Sequence, residues 1–201
     1  MRLILLFIVF LFFSCRGEKR YEDFNLTEYQ RQVNNYFKDA SVSPLKTKDL
    51  KNFKGLDFFE FDSSYVVYAK IHKTPNSLPF KMKTTTNMPA DFRKYGKLIF
   101  NLNDEQHSLT VYENLDYIGV DGYENYLFLP FLDQTNGYET YGGGRYIDLY
   151  QYDSDSILIN FNRAYNPKCV YDENFSCPIV PRDNLLNLRV EAGVKNFVKN
   201  Y

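Results

Sequence analysis

Tryptophan is absent from the 201 residues, histidine occurs twice and cysteine three times, and the 24 basic side chains do not outnumber the 25 acidic ones. Each scarcity excludes something. Without a basic excess there is no electrostatic footprint for a nucleic-acid backbone, and the short cluster Arg16-Gly17-Glu18-Lys19-Arg20 reads as solvated tether, so nucleic acid is not expected as a partner. His72 sits in an alternating segment and His107 at a turn edge, neither beside a nucleophile, and no serine occupies a Gly-x-Ser-x-Gly elbow. No cofactor is called for. Long apolar runs are missing too, with one exception at the N-terminus.

That exception is Leu3 to Phe13, eleven residues, where a membrane-spanning helix needs about 20. With Arg2 before it and Ser14-Cys15 directly after, residues 1–14 read as a signal peptide. A small residue followed by cysteine at that point resembles a bacterial lipoprotein signal, which implies that Cys15 carries the lipid. The expected address is the cell envelope, outside the cytoplasm, with the membrane as a partner through that N-terminal lipid. Residues 15–24 then form a tether, and residues 25–201 form a single domain.

Two cysteines remain, Cys169 and Cys177, with seven residues between them. In an oxidising compartment such a pair is most simply a disulfide, stabilising the fold by about 2.6 kcal/mol in the chain-entropy model. Two free thiols are the alternative. A metal site is disfavoured, because the histidines are distant and the spacing fits no zinc pattern.

Along the domain the period of the apolar residues changes once. Tyr29, Val33, Tyr36, Phe37 and Ala40 recur at helical spacing after the capping pair Thr27 and Gln30, predicting an amphipathic helix over about residues 28–39. A weaker helical turn over Thr47 to Phe53 follows. Beyond Gly55 the period is two. Strands are expected at Leu56 to Phe61, Tyr65 to Ile71, Phe80 to Thr86 and Leu98 to Leu102. Others follow at Ser108 to Tyr112, Tyr126 to Phe131, Tyr146 to Tyr150 and Ile157 to Phe161. Asn103-Asp104 turns one hairpin, Tyr126 to Phe131 is buried on both faces, and Leu185 to Val194 adds an edge strand. The fold class is therefore mainly β: a single antiparallel sheet curled into a barrel or sandwich, with an N-terminal helix. The 18 tyrosines and 18 phenylalanines accompany many Lys and Asn residues, a composition that points to A- and T-rich coding rather than to stacking platforms.

The stretch with most character is Thr135-Asn136-Gly137-Tyr138-Glu139-Thr140-Tyr141-Gly142-Gly143-Gly144-Arg145-Tyr146. The triple glycine precedes a strand, not a helix, so it is no phosphate-cradling nucleotide loop. Together with Tyr95 to Phe100, Leu109 to Tyr112, Leu129-Pro130-Phe131, Asn160 to Pro167 and Cys177-Pro178, this run resembles the bacterial family called domain of unknown function 1684. Ser43-Pro44-Leu45 and Phe53 to Leu56 fit the family's N-terminal part. The resemblance implies no activity. Where the family tends to carry Asp-Phe-Asn, this chain has Asn160-Phe161-Asn162.

The candidate site gathers Thr140, Tyr141, Gly142, Gly143, Gly144, Arg145, Asp148, Asn162, Tyr165 and Asn166. Arg145, at a turn without Cβ atoms, would hold a carboxylate or phosphate in a small polar or anionic ligand or an envelope partner. The alternatives are a hydrolase with Asp148 or Glu139 as base and Arg145 as support, and a purely structural envelope component. In the structural case Arg145 pairs with Asp148 or Glu139, and Asn162 and Asn166 satisfy turn backbone. A concave pocket holding Arg145, Tyr141, Asn162 and Tyr165 would separate these readings.

Overall fold

The computed structural model describes residues 26–151 and 154–198. The expected signal peptide, the tether and Cys15 lie outside the described residues. Helix α1 (Leu26–Lys38) carries Glu28 in its first turn and Lys38 in its last, each matching the helix dipole. It begins slightly earlier than the capping pair implies. Ser43 ends the region by donating its hydroxyl to the Phe37 carbonyl at 2.6 Å, and a single turn, α2 (Thr47–Leu50), follows.

Seven strands make one antiparallel sheet: β1 (Val66–Lys73), β2 (Phe80–Met82), β3 (Ala90–Leu102), β4 (Glu105–Asn114), β5 (Tyr126–Phe131), β6 (Arg145–Tyr150) and β7 (Ser156–Asn160). Their order is β6-β5-β4-β3-β1-β7, with β2 pairing the first residues of β3. The β3–β4 hairpin turns on Asn103 and Asp104, both at positive φ (52° and 61°), the geometry that a two-residue turn needs to match strand twist. A bulge between Lys94 and Gly96 bends β3. Gly96 is required there, since a Cβ would lie 2.8 Å from the His72 carbonyl oxygen.

The bend and twist curl the sheet into a half-barrel, and its two ends approach. Tyr146 and Tyr165 exchange both amide hydrogen bonds at 2.9 Å, joining β6 to the residues just after β7. Inside lie Leu98, Phe100, Leu109, Val111, Leu127, Leu129, Phe131, Ile147, Leu149, Ile159 and Phe161. Each fully buried side chain of this size contributes about 1.5–3 kcal/mol. Outside, Met82, Phe92, Tyr112, Phe128, Tyr146 and Val180 form a second layer, which is why β5 is buried on both faces. A third cluster docks α1: Phe37 meets Tyr171 edge-on at 4.7 Å and stacks on Phe53 at 5.8 Å.

Three expected strands differ. Leu56 to Phe61 makes only one bridge, Phe58 to Val194, and the Phe80 strand ends at Met82. Leu185 to Val194 is not an edge strand. Its alternating Leu186, Val190 and Ala192 enter the core instead, so this extended segment fills the open side of the curl.

Candidate functional site

Alternation along β6 sends Arg145, Ile147 and Leu149 into the curl and Tyr146, Asp148 and Tyr150 out of it. The expected site is thereby divided. Arg145 has no exposed surface, and its guanidinium is paired with Asp133, also fully buried, at 2.8 Å. The terminal N–H groups also donate to the carbonyls of Val190 (2.8 Å), Ala192 and Val194 (3.5 Å), while Nε has no partner among the described residues. Those are alternate carbonyls on one edge of an extended segment, so the arginine takes the place of a neighbouring strand. Burial lowers the Arg145 pKa, and the Asp133 charge opposes that fall.

Asp133 in turn accepts the Thr135 amide (2.7 Å) and hydroxyl (2.6 Å), and the Thr135 and Thr140 hydroxyls are 2.8 Å apart. Arg145 therefore pairs with Asp133 rather than with Asp148 or Glu139. Glu139 pairs with Arg189 at 2.6 Å. Gly144, at φ 91°, turns the chain into β6 where a Cβ would meet the Phe131 carbonyl oxygen at 2.6 Å. Asn162 exchanges hydrogen bonds with the backbone of Asp62 at 2.9 and 3.1 Å. Asn160 caps the turn that contains it by accepting the Asn162 amide at 3.0 Å, a role that Asp fills equally well. None of these groups is presented to a ligand.

Asp148, Tyr165 and Asn166 do come together, on the outer face. They line a cleft of about 500 Å³ between α1, the outer face of β5–β6 and the segment 163–171. Its walls are tyrosine. On one side Tyr117, Tyr123 and Tyr126 pack at centroid distances of 4.2 and 5.4 Å, and Tyr126 meets Tyr150 at 5.8 Å. On the other stand Tyr29, Tyr36 and Tyr171. Arg163 lies 4.9 Å over the Tyr29 ring and the Lys168 ammonium 5.9 Å over Tyr36, so both cations flank the opening.

The floor is Asp148. Tyr126 and Tyr165 donate their hydroxyls to the same carboxylate oxygen, at 2.8 and 2.6 Å. The second oxygen, Oδ2, accepts no hydrogen bond among the described residues. The surrounding protein raises the Asp148 pKa by burial, while the two phenols and Arg163 oppose the rise. The carboxylate is also exposed to solvent through the mouth. Both phenols are pushed upward by burial and by the carboxylate beside them, and they remain donors throughout the physiological range.

Asn166, 2 % exposed, donates to the Lys195 carbonyl at 3.0 Å, and its Oδ1 has no partner among the described residues. Tyr141 and the glycines Gly142 and Gly143 are not in the cleft; Tyr141 turns toward Cys169. Both cysteines are free thiols, with the Cys169 amide donating to the Cys177 sulfur at 3.1 Å, so the expected disulfide is not formed in this structure.

The pattern of motifs quoted from the sequence is matched by a family model, described as a protein of unknown function (DUF1684), over residues 51–195. The chain belongs to the DUF1684 family. A DUF1684-like fold is also seen in the solution NMR structure of an uncharacterised protein from Haloarcula marismortui, 30 % identical, with a TM-score of 0.66 over 85 % of this chain and 92 % of that one. No curated protein matches. Within this DUF1684 chain the cleft residues Tyr29, Tyr36, Tyr117, Tyr123, Tyr126, Tyr150, Arg163, Lys168 and Tyr171 escaped sequence reasoning. One signal was there: Tyr126, Asp148 and Tyr150 share a strand face, with Tyr126 opposite Tyr150 and Phe128 opposite Asp148.

Proposed function

We propose that this DUF1684 protein binds a small polar ligand in the tyrosine-walled cleft, with Asp148 as the anchor. The observation that carries the reading is the Asp148 carboxylate: one oxygen fixed by two phenols, the other open to a ligand donor at the floor of a concave, aromatic site. The chemistry of the lining selects the ligand. A carboxylate needs hydroxyl or amine donors, the tyrosine faces take a flat apolar surface, and Arg163 and Lys168 attract an anionic group. An acidic polyol, such as a sugar acid or sugar phosphate, offers all three. Arg145 is not the anchor in this reading, because its side chain lies on the opposite face of β6.

The same separation counts against the hydrolase alternative, which needs Arg145 beside Asp148 or Glu139. For location, the proposal keeps the lipid on Cys15 and a position outside the cytoplasm, supported by the order Arg2, apolar run, Ser14-Cys15. Loss of fatty-acid labelling in Cys15→Ser tests that half.

The binding half is tested by thermal shift with hexuronates, hexose phosphates and neutral hexoses. The acidic members raise the melting temperature of the wild type, Asp148→Asn removes the rise, and Arg163→Ala weakens it for the acidic members alone. If no member shifts the wild type, or if the shifts survive Asp148→Asn, the reading is wrong.

A further inference from the structure

The glycine run that dominates the sequence does not build the ligand cleft, but it does build something else. Gly143 leaves the gap occupied by the Tyr141 ring, since a Cβ at that position would run into it. From there the Tyr141 side chain lies toward Cys169 and favours its thiolate. Thr85 stands beside the pair, its hydroxyl accepting the Cys177 amide at 3.1 Å and donating to the Phe175 carbonyl at 3.2 Å. Thr85 and Cys177 are further joined through the Thr85 amide and the Cys177 carbonyl at 2.8 Å. The two cysteines are adjacent, with the Cys169 amide donating to the Cys177 sulfur at 3.1 Å.

Access to the pair is unequal. Cys177 is 6 % exposed and lies beneath the segment that bridges Thr84 to Pro178, whereas Cys169 is half-buried in the short turn Lys168–Val170. A small molecule therefore meets Cys169 first. The Cys177 thiol is the chief influence favouring the Cys169 thiolate; burial opposes it, and Thr85, the turn backbone and Tyr141 add smaller contributions in its favour. Lys168, next in sequence, holds its ammonium over the Tyr36 and Phe175 rings. Tyr146 and Tyr141 are the other titratable groups beside the pair, both pushed upward and so uncharged.

We propose that Cys169 and Cys177 form a thiol–disulfide exchange couple, with Cys169 as the attacking thiol, Cys177 as the resolving thiol, and a low-molecular-weight disulfide as the oxidant. The Cys169 thiolate attacks one sulfur of R–S–S–R, the oxidant's S–S bond breaks, and RS⁻ leaves. The Cys177 thiol then gives up its proton, attacks the Cys169 sulfur of the mixed disulfide, and expels the second RS⁻. The two cysteines are oxidised to one disulfide and R–S–S–R is reduced to two R–SH, which carry away the two protons.

The arrangement times the second step. Hydrogen bonding from the Cys177 thiol is the largest cause bringing Cys169 down to about 7, and the same bond pushes Cys177 up. Once Cys169 is capped, that bond and the negative charge are gone, and Cys177 ionises more readily, with burial alone still opposing it. The buried partner is thus inert until the exposed one has reacted.

The full-length chain carrying Cys15→Ala is incubated with 2-hydroxyethyl disulfide and followed by intact mass spectrometry after acid quenching. The expected end state is a chain lacking two hydrogens with no adduct. Cys177→Ala accumulates one lasting hydroxyethylthio adduct, assigned to Cys169 by peptide mapping. Cys169→Ala reacts about ten-fold more slowly or not at all. Tyr141→Phe keeps the ring over Gly143 and removes only the donor, so it moves the midpoint of the pH–alkylation curve of Cys169 upward without altering the circular dichroism spectrum. Where an alanine variant does not fold, Cys169→Ser and Cys177→Ser make the same comparison. The proposal is overturned if Cys169→Ala reacts as fast as its parent, if the Cys177 variant holds no adduct longer than its parent does, or if the parent ends with two adducts and no internal bond.

Discussion

The two faces of β6 carry two polar systems that share a strand and little else. Inward, Arg145 and Asp133 are both fully buried, with every Asp133 oxygen and both terminal nitrogens of Arg145 engaged. Outward, Asp148 has one oxygen engaged and one open to a 500 Å³ cleft. The inner network, closed off from solvent and with only the Arg145 Nε left without a partner among the described residues, has no room for a ligand and fixes the fold; a half-saturated one at a surface has capacity to spare. Charge and polarity in the sequence mark both kinds alike, and only the parity of the strand position separates them.

Substitutions sharpen this contrast in order of expected size. Arg145→Met leaves Asp133 as an uncompensated buried charge and strips the carbonyls of Val190, Ala192 and Val194 of their donors, so urea unfolding should show a loss of about 3–5 kcal/mol. Gly144→Ala forces a side chain into a positive φ and against the Phe131 carbonyl, costing about 1–3 kcal/mol. Its neighbour Gly142, whose added Cβ would meet nothing closer than 3.7 Å, should tolerate alanine within about 0.5 kcal/mol. Equal losses at the two glycines would mean that the turn is not held as described.

On the outer face the effects are smaller and appear in titration. Tyr165→Phe removes a donor to the Asp148 carboxylate, so it should cost about 1–2 kcal/mol and raise the Asp148 carboxyl pKa further, read by carbon-13 NMR. Asp148→Asn should change stability at neutral pH by less than about 1 kcal/mol. The sign of its pH dependence follows from the raised pKa. Folding favours the protonated acid, so the wild type carries a penalty above its folded pKa that shrinks as pH falls toward the ordinary value of 3.8. The wild type should therefore gain on Asp148→Asn as the solution is acidified from neutral. A gain in the opposite direction would show that the phenols outweigh burial.

Much of the sheet was legible because local chemistry and global pairing agree. Asn103-Asp104 tolerates the left-handed turn, and β1 alternates from Val67 to His72 and pairs on both edges. Leu185 to Val194 was misread for a physical reason: the alternation is real, since Leu186, Val190 and Ala192 are buried, but the carbonyls of Val190, Ala192 and Val194 are met by the Arg145 guanidinium instead of by a neighbouring strand. Alternation reports burial, not the identity of the hydrogen-bond partner. Likewise the pairing of Arg145 with Asp133 was invisible because eleven residues, a glycine turn among them, intervene. The cleft was harder still. Its tyrosines come from α1, the 117–126 loop, β5, β6 and the 163–171 segment, and no spacing rule links positions that meet only after the sheet has curled.

The reciprocal amide pair of Tyr146 and Tyr165 has a mechanical meaning for whatever occupies the cleft. It is the seam along which the first and last members of the sheet are stitched, and Asp148 and the Tyr165 hydroxyl stand beside it on the outer surface. A molecule clasping both groups would lie astride that seam like a staple across a fold. Occupancy would then register as slower deuterium uptake at these two amides, with the strands far from the seam left unchanged.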